Sequence, residues 1–153
     1  MHTVLTDMIY IGSDHAGFSL KTIIAAHLKN QQLLVEDMGA HSQKSCDYPD
    51  YAHKVCQGVL QNRVPGILIC GTGIGMSMAA NKIQGIRAAI CTHSFHARAS
   101  RAHNNANVLC LGERITAPGL AIELVDLFLT TSFEGGRHEH RIALLENITH
   151  LDR

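Results

Sequence analysis

The chain has 153 residues, the size of one ordinary domain, and its apolar content of 46% is enough to build a single hydrophobic core. Thirteen basic and thirteen acidic side chains give a formal net charge of zero, which argues against nucleic-acid binding and against attachment to anionic membranes. Charged residues make up only 17% of the chain, and because a surface poor in charge favours association, we expect an oligomer.

Cysteine usage and the N-terminal sequence indicate a reducing compartment. The five cysteines are an odd number with no CxxC pair, which argues against a disulfide framework and a zinc ribbon. Residues 1–12 lack a basic stretch followed by a long apolar run, as a signal peptide would have. The longest apolar runs are about five residues, far short of the roughly 20 that a membrane helix needs. We therefore expect a cytoplasmic protein.

Five short apolar runs predict β-strands, at residues 8–11, 33–35, 67–70, 88–91 and 108–111. Each run is continuously apolar, which is typical of strands buried on both faces. Amphipathic stretches predict helices at residues 20–28, 51–60, 76–82, 94–103 and 118–129, and a last helix that follows Gly136 and runs through Ile148. The alternation predicts one α/β domain over residues 1–153, with helices on both faces of a parallel sheet.

Polar and glycine-rich segments follow four of the predicted strands, at the sheet edge where such folds bind ligands. The richest is residues 70–75, Cys-Gly-Thr-Gly-Ile-Gly, whose backbone N–H groups and following helix N-terminus suit an anion. Met76 stands where a dinucleotide fingerprint needs glycine, and Met76-Ser77 also fails the P-loop pattern. The residues alone leave open whether the loop binds an anion or is only a tight turn.

Cys70 ends the third predicted strand, just before this loop. A free cysteine usually packs in the core, but a thiol beside a helix N-terminus can become reactive at neutral pH. Cys70 is therefore a candidate for catalysis. The other four cysteines have no such loop, and we interpret them as packing residues.

Arg137 and Arg141 are four residues apart and share one face of the last predicted helix. Two guanidinium groups on one face suit a phosphate dianion, whereas ion pairs with Glu134 and Glu139 are the alternative. The sequence from residue 138 begins like the zinc motif HExxH, but Ile142 replaces its second histidine, so no metal site is expected.

Two histidines are further candidates. His15 follows the first predicted strand and His103 precedes the fifth, and we expect both at or near the ligand-binding edge. An imidazole exchanges protons near neutral pH, which suits acid–base chemistry at this edge.

Taken together, these segments resemble the ribose-5-phosphate isomerase B family, in the group that includes galactose-6-phosphate isomerases. The resemblance spans nearly the whole chain. It is carried by six ordered motifs, at residues 13–18 with 20–21, 47–49 with 51–52, 70–75, 79–82 with 85–88, 100–104 with 107–109, and 134–138.

The resemblance implies a three-layer α/β/α sandwich around a five-stranded, mainly parallel, Rossmann-like sheet. It also implies a homodimer or a tetramer whose active sites use residues of both subunits. The implied reaction interconverts ribose 5-phosphate and ribulose 5-phosphate, in the non-oxidative pentose phosphate pathway, without cofactor or metal. A galactose or allose 6-phosphate isomerase subunit is the close alternative, and a non-catalytic module that binds sugar phosphates or nucleotides is the distant one.

The resemblance also implies roles for individual residues. Cys70 would move a proton between C1 and C2, since the loop as far as Ala80 contains no acid to do so. His103 would open the sugar ring with help from Thr72. The remaining implied substrate contacts are Asp14, His15, Tyr48, Gly71, Gly73, Ile74, Gly75 and Asn104, together with the phosphate ligands Arg114, Arg137 and Arg141. The two last arginines belong to a C-terminal helix expected over residues 137–153.

Overall fold

A computed structural model of the protein describes residues 6–148. Its strands are β1 (Met8–Ser13), β2 (Leu34–Asp37), β3 (Gly66–Cys70), β4 (Ala88–Ile90) and β5 (Val108–Gly112). Its helices are α1 (Phe18–Asn30), α2 (Tyr48–Asn62), α3 (Ile74–Ala80), α4 (Ser94–Ala102), α5 (Pro118–Thr130) and α6 (Arg137–Glu146). The strands form one sheet in the order β2-β1-β3-β5-β4, and every neighbouring pair is parallel. The predicted α/β sandwich with a parallel sheet is confirmed.

The three central strands bury apolar side chains on both faces of the sheet. Because successive residues of a strand point to opposite faces, a continuous apolar run supplies two cores at once. In β3, Ile67 and Ile69 join a core with α1 and α5, whereas Leu68 and Cys70 join a second core with α2 and α3. One core therefore packs helices against each face of the sheet, which gives three layers: helices, sheet and helices.

The two edge strands correct one expectation. We expected all five strands to be buried on both faces, but β2 is mostly exposed and β4 is only partly covered. Leu34, for example, is 57% exposed. An edge strand has a neighbour on one side only, and β2 also extends into the polar residues Glu36 and Asp37, beyond the apolar run at 33–35.

The last helix is shorter than predicted. Helix α6 ends at Glu146, so Asn147 and Ile148 lie beyond it, and residues 149–153 of the expected segment fall outside the described residues. Within residues 6–148, no helix is long and apolar enough to cross a membrane.

Parallel strands give the sheet two unlike edges, and this difference positions the site. The carboxyl edge is where β1, β3 and β5 end, at Ser13, Cys70 and Gly112. The amino edge is where the same strands begin, and Gly66 and Val108 are paired there. The helices return the chain from the carboxyl edge to the amino edge after each strand.

Candidate active site

The first group of site residues lies at the carboxyl edge and is called here the loop cluster. It contains Asp14, His15, Tyr48, Cys70, residues 71–75 and Arg114. Backbone hydrogen bonds join the strand ends: the Asp14 N–H donates to the Ile69 carbonyl at 3.2 Å, and the Glu113 N–H donates to the Cys70 carbonyl at 2.9 Å. The segments that follow β1, β3 and β5 therefore form one connected edge, as expected for a ligand site in this fold.

Cys70 occupies the inner end of this cluster. Its side chain belongs to the core beneath α2 and α3, and the residue is 5% exposed. The Gly73 N–H donates to the Cys70 Sγ at 3.1 Å. This amide places a positive dipole end beside the sulfur and stabilises negative charge there.

The remaining cysteines lie in different surroundings. Burial raises the pKa of the Cys56 thiol to about 12 and that of Cys91 to about 11, and it also raises the pKa of Cys110. The interpretation of these three as packing residues is confirmed. It is wrong for Cys46, which is half-buried outside the cores, with its Sγ 3.9 Å from the His15 Nδ1.

Two glycines of the loop leave room for functional side chains. A Cβ at Gly71 would lie 3.0 Å from the Arg114 Nη1, and a Cβ at Gly75 would lie 2.8 Å from the Tyr48 Cζ. Gly73, with φ +79°, turns the chain into α3. The glycines therefore serve both a tight turn and the close approach of a guanidinium and a phenol to the loop.

Asp14 and His15 are fixed by backbone amides. The Asp14 Oδ1 accepts from the N–H groups of Ala16 at 2.9 Å and Gly17 at 3.1 Å, so this oxygen caps the short turn after β1. The His15 Nδ1 accepts from the Cys46 N–H at 3.3 Å. Since an Nδ1 that accepts carries no hydrogen, the neutral ring has its hydrogen on Nε2, where it can donate to an anion.

Lys21 holds the segment after β2 against the carboxyl edge, and no role for it was predicted from the sequence. It is 1% exposed, and its Nζ donates to the Asp37 Oδ1 and to the Ala40 carbonyl, each at 2.6 Å. The Ala40 N–H in turn donates to the Ser13 carbonyl. The signal that could have revealed Lys21 was a lysine on the apolar face of the first predicted helix, since a buried lysine needs a partner.

The second group of site residues lies at the amino edge and is called here the His103 cluster. It contains His103, Asn104, Glu134, His138 and Arg141. Four of these residues, with Ile142 and Leu145, line a cavity of about 270 Å³. The His103 and His138 rings stack at 4.6 Å between centroids and 11° between planes. The Glu134 Oε2 lies 3.6 Å from the His138 Nε2 and 3.9 Å from the His103 Nε2.

His138 is the residue of this cluster that the sequence analysis missed. It is buried at 7% exposure, and its ring holds the plane of the His103 ring. The available signal was the acid four residues before it. Glu134 precedes α6, so the turn at Gly135 and Gly136, rather than a helix face, brings its carboxylate to the His138 ring.

Among the described residues, His103, Glu134 and His138 also form the one group whose ligand atoms could approach a metal ion, all within 4.8 Å of one another. A zinc ion would need each ring nitrogen at about 2.0–2.1 Å, along its lone pair. The lone pairs of two nearly parallel rings do not converge on one point. The arrangement therefore fits stacking, and metal binding would require the rings to turn.

The arginines of α6 are available for a ligand. Arg137 and Arg141 are exposed, and within residues 6–148 no carboxylate lies within 4.0 Å of either guanidinium. The alternative of ion pairs with Glu134 and Glu139 is therefore not what the described structure contains.

The structure separates the two clusters. Cys70 lies beside Gly112 at the end of β5, whereas His103 precedes the start of β5 at Val108. Four steps along β5 correspond to about 13 Å, which is longer than a pentose phosphate. The expectation that His103 lies at or near the same edge as His15 is wrong, because α4 carries the chain back to the amino edge before His103.

Comparisons with known proteins agree on one family. The model of a family described as Ribose/Galactose Isomerase matches residues 9–145. The ribose-5-phosphate isomerase B of Escherichia coli (strain K12) is 46% identical over 141 residues, covering 92% of this chain and 95% of that protein.

Solved structures are similar over the same span. A ribose-5-phosphate isomerase B from Clostridium thermocellum superposes with a TM-score of 0.92 at 49% identity, covering 94% of this chain and 97% of that one. The ribose-5-phosphate isomerase B of Mycoplasma genitalium, solved with bound ribulose-5-phosphate, superposes with a TM-score of 0.89 at 44% identity, covering 95% and 97%.

Proposed function

This chain belongs to the ribose/galactose isomerase family, and we propose that it interconverts D-ribose 5-phosphate and D-ribulose 5-phosphate. The Escherichia coli relative is named for this reaction, and the Mycoplasma genitalium relative was solved with the ketose, ribulose-5-phosphate, bound. The observation that carries the mechanism is the Cys70 Sγ at the end of β3, with the Gly73 N–H donated to it and a loop of backbone amides beside it.

The central step moves one proton between two neighbouring carbons. The Cys70 thiolate takes the proton from C2 of the open-chain aldose, and the C2–H electron pair forms a C1–C2 double bond as the C1 carbonyl becomes an enediolate oxygen. Cys70 then returns the proton to C1, while the C2 hydroxyl loses its proton to O1 and becomes the ketone. No electrons leave the substrate, so no redox cofactor is needed.

The loop amides and Thr72 would face the oxygen on which the enediolate charge develops. N–H groups of residues 71–75 that point at the developing oxyanion would stabilise it, and one such donor contributes roughly 3–4 kcal/mol. The Thr72 Oγ1 accepts from the Ile74 N–H at 3.3 Å, which holds the hydroxyl inside the loop. Tyr48 would bind a sugar hydroxyl from the loop cluster, and Asn104 would bind another from the His103 cluster.

Ring opening is assigned to His103. Opening the furanose removes the proton of the C1 hydroxyl and adds one to the ring oxygen, and an imidazole can do both near neutral pH. The stack with His138 limits the rotation of the His103 ring and so keeps its nitrogens in place. Because the ring is already held in one orientation, less conformational entropy is lost when it transfers a proton.

We further propose a homodimer, alone or paired into a tetramer, in which the His103 cluster of one copy faces the loop cluster of the other. The roughly 13 Å between the clusters along β5 supports this, because one chain cannot bring both to one sugar. Exposed apolar side chains flank both clusters: Ile74 is 51% exposed, Phe95 63% and Ile115 57% near the loop, and Leu144 is 58% exposed on α6. The phosphate would then meet His15 and Arg114 of one copy and Arg137 and Arg141 of the other.

We place this single domain, residues 1–153, in the cytoplasm. The five cysteines support that compartment, since all of them lie in the described part of the chain and are unpaired. Fractionation of the native host would test it.

An isomerase assay with ribose 5-phosphate tests the reaction and its base together. We expect activity that a chelator leaves unchanged and that a thiol-alkylating reagent abolishes. Cys46→Ser is the matched control, because Cys46 is half-buried and lies near His15, so its thiol could react with the reagent in place of Cys70. If Cys46→Ser made the enzyme resistant to alkylation, the sensitive thiol would be Cys46 and the assignment of Cys70 would fail.

The family description also covers galactose isomerases, so six-carbon substrates are the competing proposal. Rates with galactose 6-phosphate and allose 6-phosphate, measured beside ribose 5-phosphate, separate the two. A higher kcat/KM for a six-carbon phosphate would overturn the pentose assignment and leave the isomerase chemistry intact. Binding of either sugar without entry of solvent deuterium at C2 would instead indicate a non-catalytic module.

Mixing two inactive variants tests the shared site. Cys70→Ala and His103→Asn, unfolded and refolded together, would form heterodimers with one intact site, and random pairing gives about one quarter of the wild-type activity. The control replaces one partner by the double variant Cys70→Ala/His103→Asn, which cannot restore a site. Equal, negligible activity in both mixtures would contradict a site shared between copies.

A further inference from the structure

A cavity of about 480 Å³ opens at the amino edge, between α2 on one face of the sheet and α5 on the other. It is lined by residues that belong to neither the loop cluster nor the His103 cluster. Three of them are arginines, Arg63, Arg87 and Arg101, and two are asparagines, Asn105 and Asn107, and no acidic side chain of the described residues lines it. The rest of the lining is largely apolar and includes Leu60, Val64 and Leu129.

The charge of Arg101 is poorly compensated. Its Nη1 donates to the Asn105 Oδ1 at 3.0 Å and to the Ala106 carbonyl, and its guanidinium lies 5.5 Å from the centre of the Phe128 ring. Within residues 6–148 it has no carboxylate within 4.0 Å. Burial, together with the nearby positive charge of Arg87, lowers the pKa of Arg101. An anion in the cavity would offset this unfavourable electrostatic energy.

The other two arginines add to the positive potential in unequal ways. Arg87 forms one ion pair, from its Nη1 to the Glu146 Oε1 at 2.7 Å. Arg63 follows the last residue of α2, is exposed, and takes part in none of the ion pairs of the described residues. Three guanidinium groups surround one opening, and among residues 6–148 a single carboxylate pairs with them. The described residues therefore form a positively charged site that suits a doubly charged phosphate.

We propose that this cavity binds a phosphate monoester that carries a planar or apolar group, of which a nucleoside monophosphate is the representative. Its volume lies in the range of about 300–1,000 Å³ typical of small-molecule sites. The phosphate would meet the guanidinium groups, and the planar group would lie against the apolar wall around Leu60, which is 40% exposed. This role also accounts for Arg87 and Arg101, which the isomerase mechanism leaves without a function.

The cavity is connected to the turn that carries His103. The Arg87 Nε donates to the carbonyls of Asn104 and Asn105, each at 3.2 Å, and its Nη2 donates to the Asn105 carbonyl at 2.8 Å. Asn105 holds a left-handed φ of +44°, so these bonds stabilise an otherwise unfavourable turn. A phosphate that competes for the same N–H groups would shift this turn. Resting on the proposed function of His103, we therefore expect the ligand to slow isomerisation of cyclic ribose 5-phosphate.

Isothermal titration of the full-length protein with adenosine 5′-monophosphate and with inorganic phosphate tests the site. We expect the nucleotide to bind more tightly than phosphate, and Arg63→Gln to weaken it about tenfold, which is the loss of one charge-assisted contact. Arg98→Gln is the matched control, because Arg98 is an exposed arginine of α4 that does not line the cavity. Arg63 bonds nothing in the turn, so its variant should fold and keep its basal activity.

A further variant separates this site from the proposed active site. Arg114→Gln should leave nucleotide binding unchanged if the cavity is the site. Loss of binding in Arg114→Gln with none in Arg63→Gln would overturn the proposal, as would equal affinity for phosphate and nucleotide or the absence of binding at millimolar nucleotide. Because binding is measured without turnover, an inactive protein that still binds the nucleotide would refute the proposed function and leave this inference standing.

Discussion

The loop cluster and the His103 cluster are held in place by different forces. In the loop cluster, Cys70 is 5% exposed and the chain segments around it are joined by backbone hydrogen bonds. In the His103 cluster, Asn104, Glu134 and Arg141 are exposed, and the principal contact is a stack of two imidazole rings. The first cluster is therefore built by the backbone, and the second by side chains on a helix end and a turn.

This difference matches the work proposed for each cluster. A base and an oxyanion site need fixed distances of a few tenths of an ångström, which strand ends and loop amides provide. Phosphate binding and ring opening, as proposed here, need side chains that project from the surface and reach the loop cluster of another copy. Exposed arginines and a histidine on a turn suit that task, and a second copy of the chain would complete their surroundings.

The largest expected effect comes from removing Cys70, the proposed base in the loop cluster. Cys70→Ala should lower kcat by about 10³-fold or more, in the upper part of the range for a positioned acid–base group. Cys110→Ala is the control, because Cys110 is a fully buried thiol on β5 whose loss should affect stability rather than turnover. Steady-state rates with ribose 5-phosphate decide this, and a Cys70→Ala enzyme that keeps a tenth of its activity would sink the assignment.

The next effect separates the two clusters chemically. His103→Asn should slow isomerisation of ribose 5-phosphate by about 10²-fold, since ring opening loses its acid–base group. Exchange of solvent deuterium into ribulose 5-phosphate, an open-chain ketose, should stay within a few-fold of wild type, because this exchange requires no ring opening. His96→Asn, at an exposed histidine of α4, is the control. Equal losses in both assays would show that the clusters do not divide the reaction in this way.

A smaller effect concerns the space that glycine leaves in the loop. Gly71→Ala places a Cβ 3.0 Å from the Arg114 Nη1, so the guanidinium must move, and we expect KM to rise about tenfold while kcat changes less. Gly119→Ala is the matched control, since a Cβ there meets nothing within 4 Å and alanine favours the helix by up to about 1 kcal/mol. An unchanged KM in Gly71→Ala would mean that Arg114 does not bind the phosphate.

The smallest effect concerns the buried core thiol of Cys56 and its response to pH. The pKa of Cys56 is raised from 9.0 to about 12, so above pH 9 the unfolded chain loses this proton while the folded chain keeps it. The free energy of unfolding should therefore fall as the pH rises from about 9 towards 12. Cys56→Ala should flatten that slope, and urea unfolding at a series of alkaline pH values measures it. The same slope in both proteins would mean that Cys56 titrates normally.

Much of the fold follows from local sequence patterns. The three central strands were predicted within one or two residues of their bounds, because an apolar run of four or five residues between polar segments has few other structures open to it. The loop at 70–75 was found for a similar reason, since three glycines in five residues restrict the possible turns. The burial of the edge strands β2 and β4 was predicted wrongly, because the exposure of a strand depends on its position in the sheet.

The site was predicted as a set of residues rather than as an arrangement. A residue that precedes a parallel strand lies at the amino edge, and this rule applied to His103 would have placed it away from Cys70. The stack of His103 on His138 joins residues 35 positions apart in sequence. No local pattern reports such a contact.

The amino-acid sequence by itself therefore determined the strands, the helices, the glycine loop that holds Cys70 and the neutral total charge. Only the tertiary structure decided how that charge is distributed. It places Arg114 with Cys70 at one edge of the sheet, Arg141 with His103 at the other, and Arg87 with Arg101 around a separate cavity. The physical reason is that backbone and side-chain periodicity act over a few residues, whereas strand order and direction set which distant side chains meet.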